Sequence, residues 1–267
     1  MKGEAYAAGT VLNAVATFIG SAFPVDLKTK VFLEITDEKE NYVVLKDQKF
    51  KSNLADEILK NFNINARIYV ESNIPQGSGL GSSSAFANAL IIAASRALGI
   101  KISSYEILKL NAEASIRAGV SYTGALDDAA ASLLAKLVIT DNKNMKILKE
   151  ERIQGYVAVL LPRFKRGKID VESMRRESWK LKKAIELAMS SRFCEAMVEN
   201  TKFYCNFIGY PLEIAEVLWK NKICCGLSGN GPSFCAIGSK DDVNLASELW
   251  KDFGEVIISK IPEDPVF

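Results

Sequence analysis

The chain has 267 residues, of which 48% are hydrophobic and 25% charged, and its formal net charge is +2. At roughly 100–200 residues per domain, this length corresponds to one large domain or two small ones, with the composition of a globular protein. The near-neutral charge gives no reason to expect nucleic acid or a membrane surface as a partner.

Histidine is absent from the sequence, and its absence excludes several kinds of active site. A Ser-His-Asp triad, a Cys-His dyad and a His-ligated zinc site all require an imidazole. Any general base must therefore be a carboxylate, Lys, Tyr or Cys.

The five cysteines show no C-x-x-C spacing: Cys194, Cys205, Cys224, Cys225 and Cys235. We therefore expect no metal cluster and no disulfide framework, but small buried side chains in a reducing compartment. Residues 1–8 lack the apolar core of a signal peptide, and the most apolar stretch, 85–100, is too short and too interrupted to cross a membrane. The sequence thus predicts a soluble, cytoplasmic protein.

The first half of the chain is predicted to interleave strands and helices. Alternating or continuous short apolar runs indicate strands, whereas apolar residues repeating every three to four positions indicate helices. We expect strands at 30–36, 42–45, 66–71 and 136–140, and helices at 54–62, 83–98, 103–118 and 127–134. Ser103 and Glu106 have capping-box spacing, which supports the start of the third helix. Residues 141–151 are charged and turn-like, so we place a domain boundary near residue 150.

The second half is predicted to contain strands at 156–161, 223–227, 234–237 and 256–260, two or three helices within 171–220, and a helix at 245–253. A basic loop covers 162–168, and a second glycine turn covers 228–233. The strands and helices lack the even alternation of a parallel doubly wound sheet, which favours an α+β fold. We expect two units, 1–150 and 151–267.

The strongest functional signal is the segment 75–85, which reads P-Q-G-S-G-L-G-S-S-S-A. Glycines let a backbone approach a ligand closely, a helix start offers unpaired N–H groups, and serine hydroxyls can bind phosphate oxygens or Mg²⁺. Because the segment lies between a predicted strand and a predicted helix, we interpret it as a phosphate-binding loop. The alternative is a Gly/Ser-rich turn with a capped helix behind it. The segment 75–85 matches neither a Walker A loop nor a dinucleotide fingerprint.

Three stretches together resemble the GHMP kinases, the family of galactokinase, homoserine kinase and mevalonate kinase. The pattern P-x-x-x-G-L-G-S-S at 75–83 is similar to the second motif of that family, and S-G-N-G-P-S at 228–233 to the third. The segment T-G-A-L-D-D-A-A-A-S at 123–132 resembles the one that carries the catalytic Asp. The resemblance implies a two-domain α+β fold, with a ribosomal-S5-like N-terminal layer that binds ATP and a ferredoxin-like C-terminal layer.

The resemblance also implies which residues bind the nucleotide and its metal. Those expected around ATP are Pro75, Gln76, Gly77, Ser78, Gly79, Leu80, Gly81, Ser82, Ser83, Ser84, Ser228, Gly229, Asn230 and Gly231. Ser84 and Glu113 are the expected Mg²⁺ ligands. For Glu113, the alternative is a solvated helix carboxylate.

Asp127 and Asp128 are the candidate catalytic residues. Adjacent residues on a helix point about 100° apart, so only one of them can face the substrate directly. Ser132 lies four residues after Asp128, as in the family, whereas counting three residues from Gly124 favours Asp127. The alternative for either carboxylate is a stabilising interaction with the helix N-terminus. Thr10 stands where several family members have a Lys that pairs with the catalytic Asp.

The first motif, 8–17, with 20–23 and 26–27, resembles the archaeal shikimate kinases, a branch of this family. That resemblance implies transfer of the γ-phosphoryl of ATP to the 3-hydroxyl of shikimate, with Mg²⁺. The alternatives are a sibling kinase for homoserine or a mevalonate-type alcohol, and a non-catalytic nucleotide-binding protein. Asn13 and Thr17 are the expected hydroxyl-binding residues. Arg163 and Arg166 of the basic loop are candidates for the substrate carboxylate, unless that loop is merely solvated.

Overall fold

The computed structural model of the protein describes residues 1–267 and consists of two layered α+β units. The first unit contains a seven-stranded sheet. Its strands are β1 (Lys2–Leu12), β2 (Ile19–Thr36), β3 (Tyr42–Leu45), β4 (Gln48–Phe50), β5 (Asn65–Ser72), β6 (Leu137–Asp141) and β7 (Lys146–Glu151). The order is β4-β3-β5-β2-β6-β7, with β1 also paired to β2, and every pair is antiparallel except β3 with β5.

Four helices pack against this sheet: α1 (Asn53–Lys60), α2 (Ser82–Ala97), α3 (Ser104–Arg117) and α4 (Leu126–Leu134). Helix α2 is buried over most of its length, and Leu90, Ile91 and Ile92 are fully inaccessible. Burying each such side chain contributes about 1.5–3 kcal/mol. Gly3 on β1 allows the close approach, because a Cβ there would lie 2.0 Å from the Ala89 carbonyl oxygen.

The second unit is a four-stranded antiparallel sheet with helices on it. Its strands are β8 (Tyr156–Pro162), β9 (Cys224–Leu227), β10 (Phe234–Gly238) and β11 (Gly254–Lys260), in the order β11-β8-β10-β9. Helices α5 (Val171–Arg176), α6 (Lys182–Met189), α7 (Phe193–Ile208) and α8 (Glu213–Lys220) connect β8 to β9, with a 3₁₀ turn at Ser178–Leu181, and α9 (Lys240–Trp250) connects β10 to β11. This βαββαβ arrangement is ferredoxin-like, as expected.

The predicted elements are present, with four differences. The short strand β4 was not predicted, because its three residues are all exposed and show no apolar alternation. Strand β1 and the first half of β2 were not predicted, because they are rich in small residues and are buried on both faces, so no alternation marks them. The charged segment before residue 151 includes strand β7, on which exposed and half-buried residues alternate. Helix α9 begins at Lys240, five residues before the predicted start, because Ser239 caps it. None of the helices is both long and apolar enough to cross a membrane.

The expectation for the cysteines is wrong for two of the five. Cys205, Cys225 and Cys235 are buried free thiols, but Cys194 and Cys224 form a disulfide. The N-terminal end of α7 packs beside the start of β9, which brings the two Cα atoms to 5.0 Å. Sequence spacing could not reveal this contact, because it depends on how α7 docks on the sheet.

Candidate active site

A cleft of about 480 Å³ collects most of the residues that the sequence singled out. It is lined by the phosphate-binding loop, the first motif, the segment that leads into α4, the basic loop and the third motif. The lining residues from these segments include Thr10, Asn13, Gly77, Gly79, Gly81, Ser82, Ser83, Ser84, Asp127, Asp128, Arg166, Gly229 and Asn230. Five segments that are distant in sequence therefore border one continuous space.

The phosphate-binding loop turns sharply into the N-terminus of α2. Gly77, Gly79 and Gly81 all have positive φ, from +62° to +94°, a conformation that glycine adopts without steric cost. Gly81 is the N-cap and provides no side chain to cap the helix. The first N–H groups of α2 are therefore free to bind an anion, and the serine hydroxyls at 82–84 line the same space.

The phosphate-binding loop and the third motif are bonded to each other. The Ser233 hydroxyl and backbone N–H both donate to the Ser78 carbonyl oxygen, at 2.7 and 3.0 Å. The hydroxyl of Thr10 accepts a hydrogen bond of 2.8 Å from the Gly229 N–H. Thr10 thus joins the first motif to the third.

Several expected nucleotide-binding residues shape the loops from outside the main cleft. Leu80 is buried, and its carbonyl oxygen accepts from Ala8 N–H. The Pro75 carbonyl oxygen accepts from the Ser78 hydroxyl at 2.7 Å. Ser228 and Gly231 are joined by a backbone hydrogen bond within the third motif. Through these backbone contacts the four residues stabilise the loops, and none of them lines the cleft.

A second, more apolar cavity of about 310 Å³ lies next to the phosphate-binding loop. Gly77, Ser82 and Ser83, together with Val120, line both spaces. Its other walls come from several elements: Thr29, Val43, Leu45, Phe50, Ser52, Leu54, Val70, Ser72, Ile74, Gln76 and Phe86. Apart from Gln76, these residues were not predicted, because each is an unremarkable apolar or small polar residue until the fold brings them together.

Asp127 and Asp128 both line the cleft but have different surroundings. Asp127 is buried, packs against Gly20 of β2, and accepts a hydrogen bond of 2.9 Å from the Asn142 side chain. Asp128 lies beside Gly81 of the phosphate-binding loop, and its carboxylate accepts no hydrogen bond from the protein.

The electrostatics of the two carboxylates follow from these surroundings. Burial raises the pKa of Asp127, while hydrogen bonds from Asn142 and from backbone N–H groups at the start of α4 oppose the rise. Burial, and then the neighbouring charge of Asp127, hold the pKa of Asp128 well above its usual range. Asp128 therefore lacks the hydrogen bonds that oppose the rise at Asp127.

The first-motif loop, which we define as residues 13–18, is held by residues of the second unit. The Asn13 N–H donates to Asn200 at 3.0 Å, and the Asn13 amide donates to the Asn230 side chain at 2.8 Å. The Tyr204 hydroxyl donates to the Asn13 carbonyl oxygen and accepts from the Ala16 N–H. Asn13 lines the cleft, whereas Thr17 does not, because its hydroxyl is bonded to the backbone of Ile19.

Of the expected charged ligands, the structure brings Arg166 to the cleft but not Arg163 or Glu113. Arg166 lines the cleft and forms no ion pair. Arg163 is exposed, and its backbone N–H bonds to Phe253 next to β11. Glu113 on α3 does not line the cleft and lies 3.7 Å from Arg117, one helical turn further on.

Sequence reasoning missed the residues that position Asp127 and the first-motif loop. Arg175 on α5 donates from Nε to the Val15 carbonyl oxygen at 3.2 Å, and its guanidinium lies 4.6 Å from the Phe18 ring centroid. Asn142 holds Asp127, and Tyr204 holds the first-motif loop. No local signal marks these residues, because each acts on a segment distant in sequence.

Comparison with known proteins shows which family the chain resembles. The family model for the GHMP kinases N terminal domain matches residues 41–136. The chain is 46% identical to the shikimate kinase of Archaeoglobus fulgidus, over 99% of this chain and 94% of that protein. It is 36% identical to the shikimate kinase of Pyrococcus abyssi, over 97% of this chain and 98% of that one.

Solved structures have the same fold at low sequence identity. A mevalonate kinase superposes with a TM-score of 0.71 at 17% identity, covering 97% of this chain and 98% of that one. A homoserine kinase from Cytophaga hutchinsonii superposes with a TM-score of 0.72 at 18% identity, covering 98% and 96%. The chain belongs to the GHMP kinase family. Within that family, its sequence is similar to the archaeal shikimate kinases.

Proposed function

We propose that this protein transfers the γ-phosphoryl group of ATP to the 3-hydroxyl of shikimate, giving shikimate 3-phosphate and ADP. One observation carries the proposal: in a chain 46% identical to a shikimate kinase, a single cleft holds an uncapped helix N-terminus, an unbonded carboxylate and an unpaired arginine. Phosphoryl transfer to an acidic alcohol requires a binding site for the phosphates, a base for the hydroxyl and a cation for the carboxylate.

The nucleotide is proposed to lie along the phosphate-binding loop. Its phosphates would accept hydrogen bonds from the free N–H groups at the start of α2 and from the serine hydroxyls, where the positive end of the helix dipole favours negative charge. The base would enter the neighbouring apolar cavity, which shares Gly77, Ser82 and Ser83 with the cleft. We propose that residues 1–150 form the nucleotide domain, and that 151–267 complete the cleft with Arg166 and Asn230.

Asp128 is the proposed base. The acceptor hydroxyl would donate a hydrogen bond to its carboxylate and transfer its proton there as the hydroxyl oxygen bonds to the γ-phosphorus. The bond between that phosphorus and the β–γ bridging oxygen breaks, and ADP leaves with the electron pair. Asp128 suits this role because it accepts no competing hydrogen bond and burial makes it more basic. Asp127, held by Asn142, would orient the acceptor.

Mg²⁺ is compatible with the donor set of the cleft. The hydroxyls of Ser83 and Ser84 and the carboxylates of α4 line one space and are hard oxygen ligands. No group of three acidic or thiol side chains forms a preformed cage, which suits an ion held mainly by phosphate oxygens and water with one or two protein ligands. We propose Ser84 as such a ligand, and exclude Glu113 because it does not line the cleft. The ion would neutralise phosphate charge.

The acceptor is proposed to bind between the first-motif loop and the basic loop. Asn13 presents polar groups to its hydroxyls, and Arg166 supplies the cation for its carboxylate. Thr17 and Arg163 lie outside the cleft, so they are not part of this proposal.

An ADP-release assay with shikimate, homoserine and mevalonate tests the function directly. We expect kcat/KM for shikimate to exceed the other two by about 10⁴-fold, since sites that pair buried polar groups with substrate hydroxyls reject analogues lacking them. Comparable turnover of homoserine would remove the substrate assignment and leave a kinase. Nucleotide binding without turnover of any acceptor would favour a non-catalytic role.

A further inference from the structure

Tyr210, which follows the C-terminus of α7, connects the basic loop to the third motif. Its hydroxyl accepts a hydrogen bond of 2.8 Å from the Gly167 N–H and donates one of 3.1 Å to the Asn230 carbonyl oxygen. Gly167 directly follows Arg166, and the Asn230 side chain accepts from Asn13. A chain of contacts thus runs from the basic loop through Tyr210 to Asn230 and the first-motif loop.

The basic loop has few other contacts that fix its backbone. It contains no helix or strand between β8 and α5, and Arg166 itself is exposed. At its two ends, the Arg163 N–H donates to Phe253 and the Asp170 side chain caps α5. Between those ends, the bond to Tyr210 is the one hydrogen bond that a backbone N–H of the loop donates.

Packing supports this anchoring. The Phe164 ring lies 5.2 Å from the Tyr210 ring, centroid to centroid. A Cβ at Gly167 would lie 2.5 Å from the side chain of Ile208, and a Cβ at Gly231 would lie 2.5 Å from the Tyr210 ring. Gly167 meets Ile208 at the end of α7, and Gly231 meets the Tyr210 ring, and at both places there is no room for a Cβ. The basic loop, the third motif and the end of α7 are therefore in close contact.

We infer that Tyr210 is a positioning residue for acceptor binding. Its hydroxyl fixes the loop that carries Arg166 against the motif that borders the nucleotide phosphates, so the arginine meets an acidic acceptor at a set distance from the phosphoryl group. The inference rests on the proposed function, in which Arg166 binds the acceptor carboxylate. Tyr210 itself touches no substrate in this scheme.

Tyr210→Phe removes the hydroxyl and keeps the ring. We expect KM for shikimate to rise about three- to ten-fold, the effect of one net hydrogen bond, while KM for ATP changes less than two-fold. Tyr6→Phe is the matched control: it also deletes a tyrosine hydroxyl bonded to a backbone carbonyl, that of Asp264, but lies outside the cleft. Equal effects of the two variants on KM for shikimate would overturn the inference.

A double-mutant cycle with Arg166→Ala shows whether Tyr210 acts through the arginine. If it does, Tyr210→Phe raises KM for shikimate in the wild-type background but not in the Arg166→Ala background. Additive effects in the cycle would contradict the inference.

Hydrogen exchange separates a failure of this inference from a failure of the proposed function. In Tyr210→Phe without substrate, the amide of Gly167 should exchange faster than in wild type, whichever acceptor the enzyme uses. Unchanged exchange in peptides covering 163–170 would overturn the anchoring. Faster exchange without turnover of shikimate by the wild type would instead reject the substrate assignment.

Discussion

The hydroxyl of Ser228 donates a hydrogen bond of 2.9 Å to the carbonyl oxygen of Gly79, across 149 residues of sequence. The same two residues are in close backbone contact, since a Cβ at Gly79 would lie 2.2 Å from the Ser228 carbonyl oxygen. Gly79 is therefore required for the two glycine motifs to meet, and substitutions there change the protein's structure as well as ligand binding. Gly77 differs, because a Cβ there would contact no protein atom within 4 Å.

Gly77→Ala should weaken ATP binding with only modest destabilisation. The added Cβ enters the space beside the phosphate-binding loop, so we expect about a tenfold higher Kd for ATP, about 1.4 kcal/mol. The left-handed backbone conformation costs alanine about 1 kcal/mol of stability. Gly99→Ala is the matched control. Gly99 has φ +65°, against +67° at Gly77, and equally open surroundings, but it follows the C-terminal end of α2. Calorimetry and thermal melts measure both; equal ATP affinity in the two variants would contradict the loop assignment.

The elements marked by local patterns could be predicted from the sequence. The capping box of Ser103 and Glu106 is present, and α2 begins within a residue of its predicted start. The glycine loops and the aspartate pair were found because their chemistry is local. Asn142, Tyr204 and Tyr210 were not, because they act through contacts with residues far away in sequence. Glu113 was misplaced because helix phase decides its direction: Asn111, Ala112, Ala114 and Ser115 of α3 are buried, which leaves Glu113 beside Arg117.

Arg166→Ala should raise KM for shikimate and leave KM for ATP nearly unchanged. Removing a cation that pairs with a bound carboxylate costs about 1.5–3 kcal/mol, which corresponds to an increase of roughly 10- to 150-fold. Arg163→Ala is the control, because it deletes the same side chain from the same loop outside the cleft. Steady-state kinetics on both variants test the assignment, which is wrong if Arg163→Ala has the larger effect.

Reduction of the Cys194–Cys224 disulfide should destabilise the protein. A crosslink over 30 residues stabilises by about 3–4 kcal/mol in the chain-entropy account. We expect the oxidised protein to melt several degrees above the reduced one, and Cys194→Ala to melt at the reduced value with or without reductant. Thiol titration of the unfolded, unreduced wild type should find the three free cysteines; finding all five would show that the bond is absent.

Asp128→Asn should lower kcat by about 10²–10⁴, the usual contribution of a positioned base, with little change in ATP affinity. Asp127→Asn should have a smaller effect, because the Asn142 hydrogen bond leaves Asp127 less free to accept a proton. Single-turnover kinetics compare the two variants. The reverse order would assign the base to Asp127, and losses of only a few-fold in both would reject the catalytic assignment.

The Asp128 carboxylate should also lower the stability of the ligand-free protein at neutral pH, although it supports activity. Burial and the charge of Asp127 raise the pKa of Asp128 in the folded state, whereas in the unfolded chain it titrates near 3.9. Below that value both states are protonated and Asp128 has no effect. As the pH rises further, the unfolded state loses its proton first, so the free energy of unfolding falls until the pH exceeds the raised folded pKa.

Asp128→Asn removes this penalty, so its melting temperature should exceed that of wild type at neutral pH, and the difference should shrink as the pH approaches 4. Asp141→Asn is a control of opposite sign. Hydrogen bonds from Asn144 lower the pKa of Asp141, so its loss should destabilise the protein at neutral pH. Melts from pH 4 to 8 in metal-free buffer without nucleotide measure both variants. If Asp128→Asn melts below wild type at neutral pH, Asp128 is not a half-buried carboxylate held at an energetic cost beside the phosphate-binding loop.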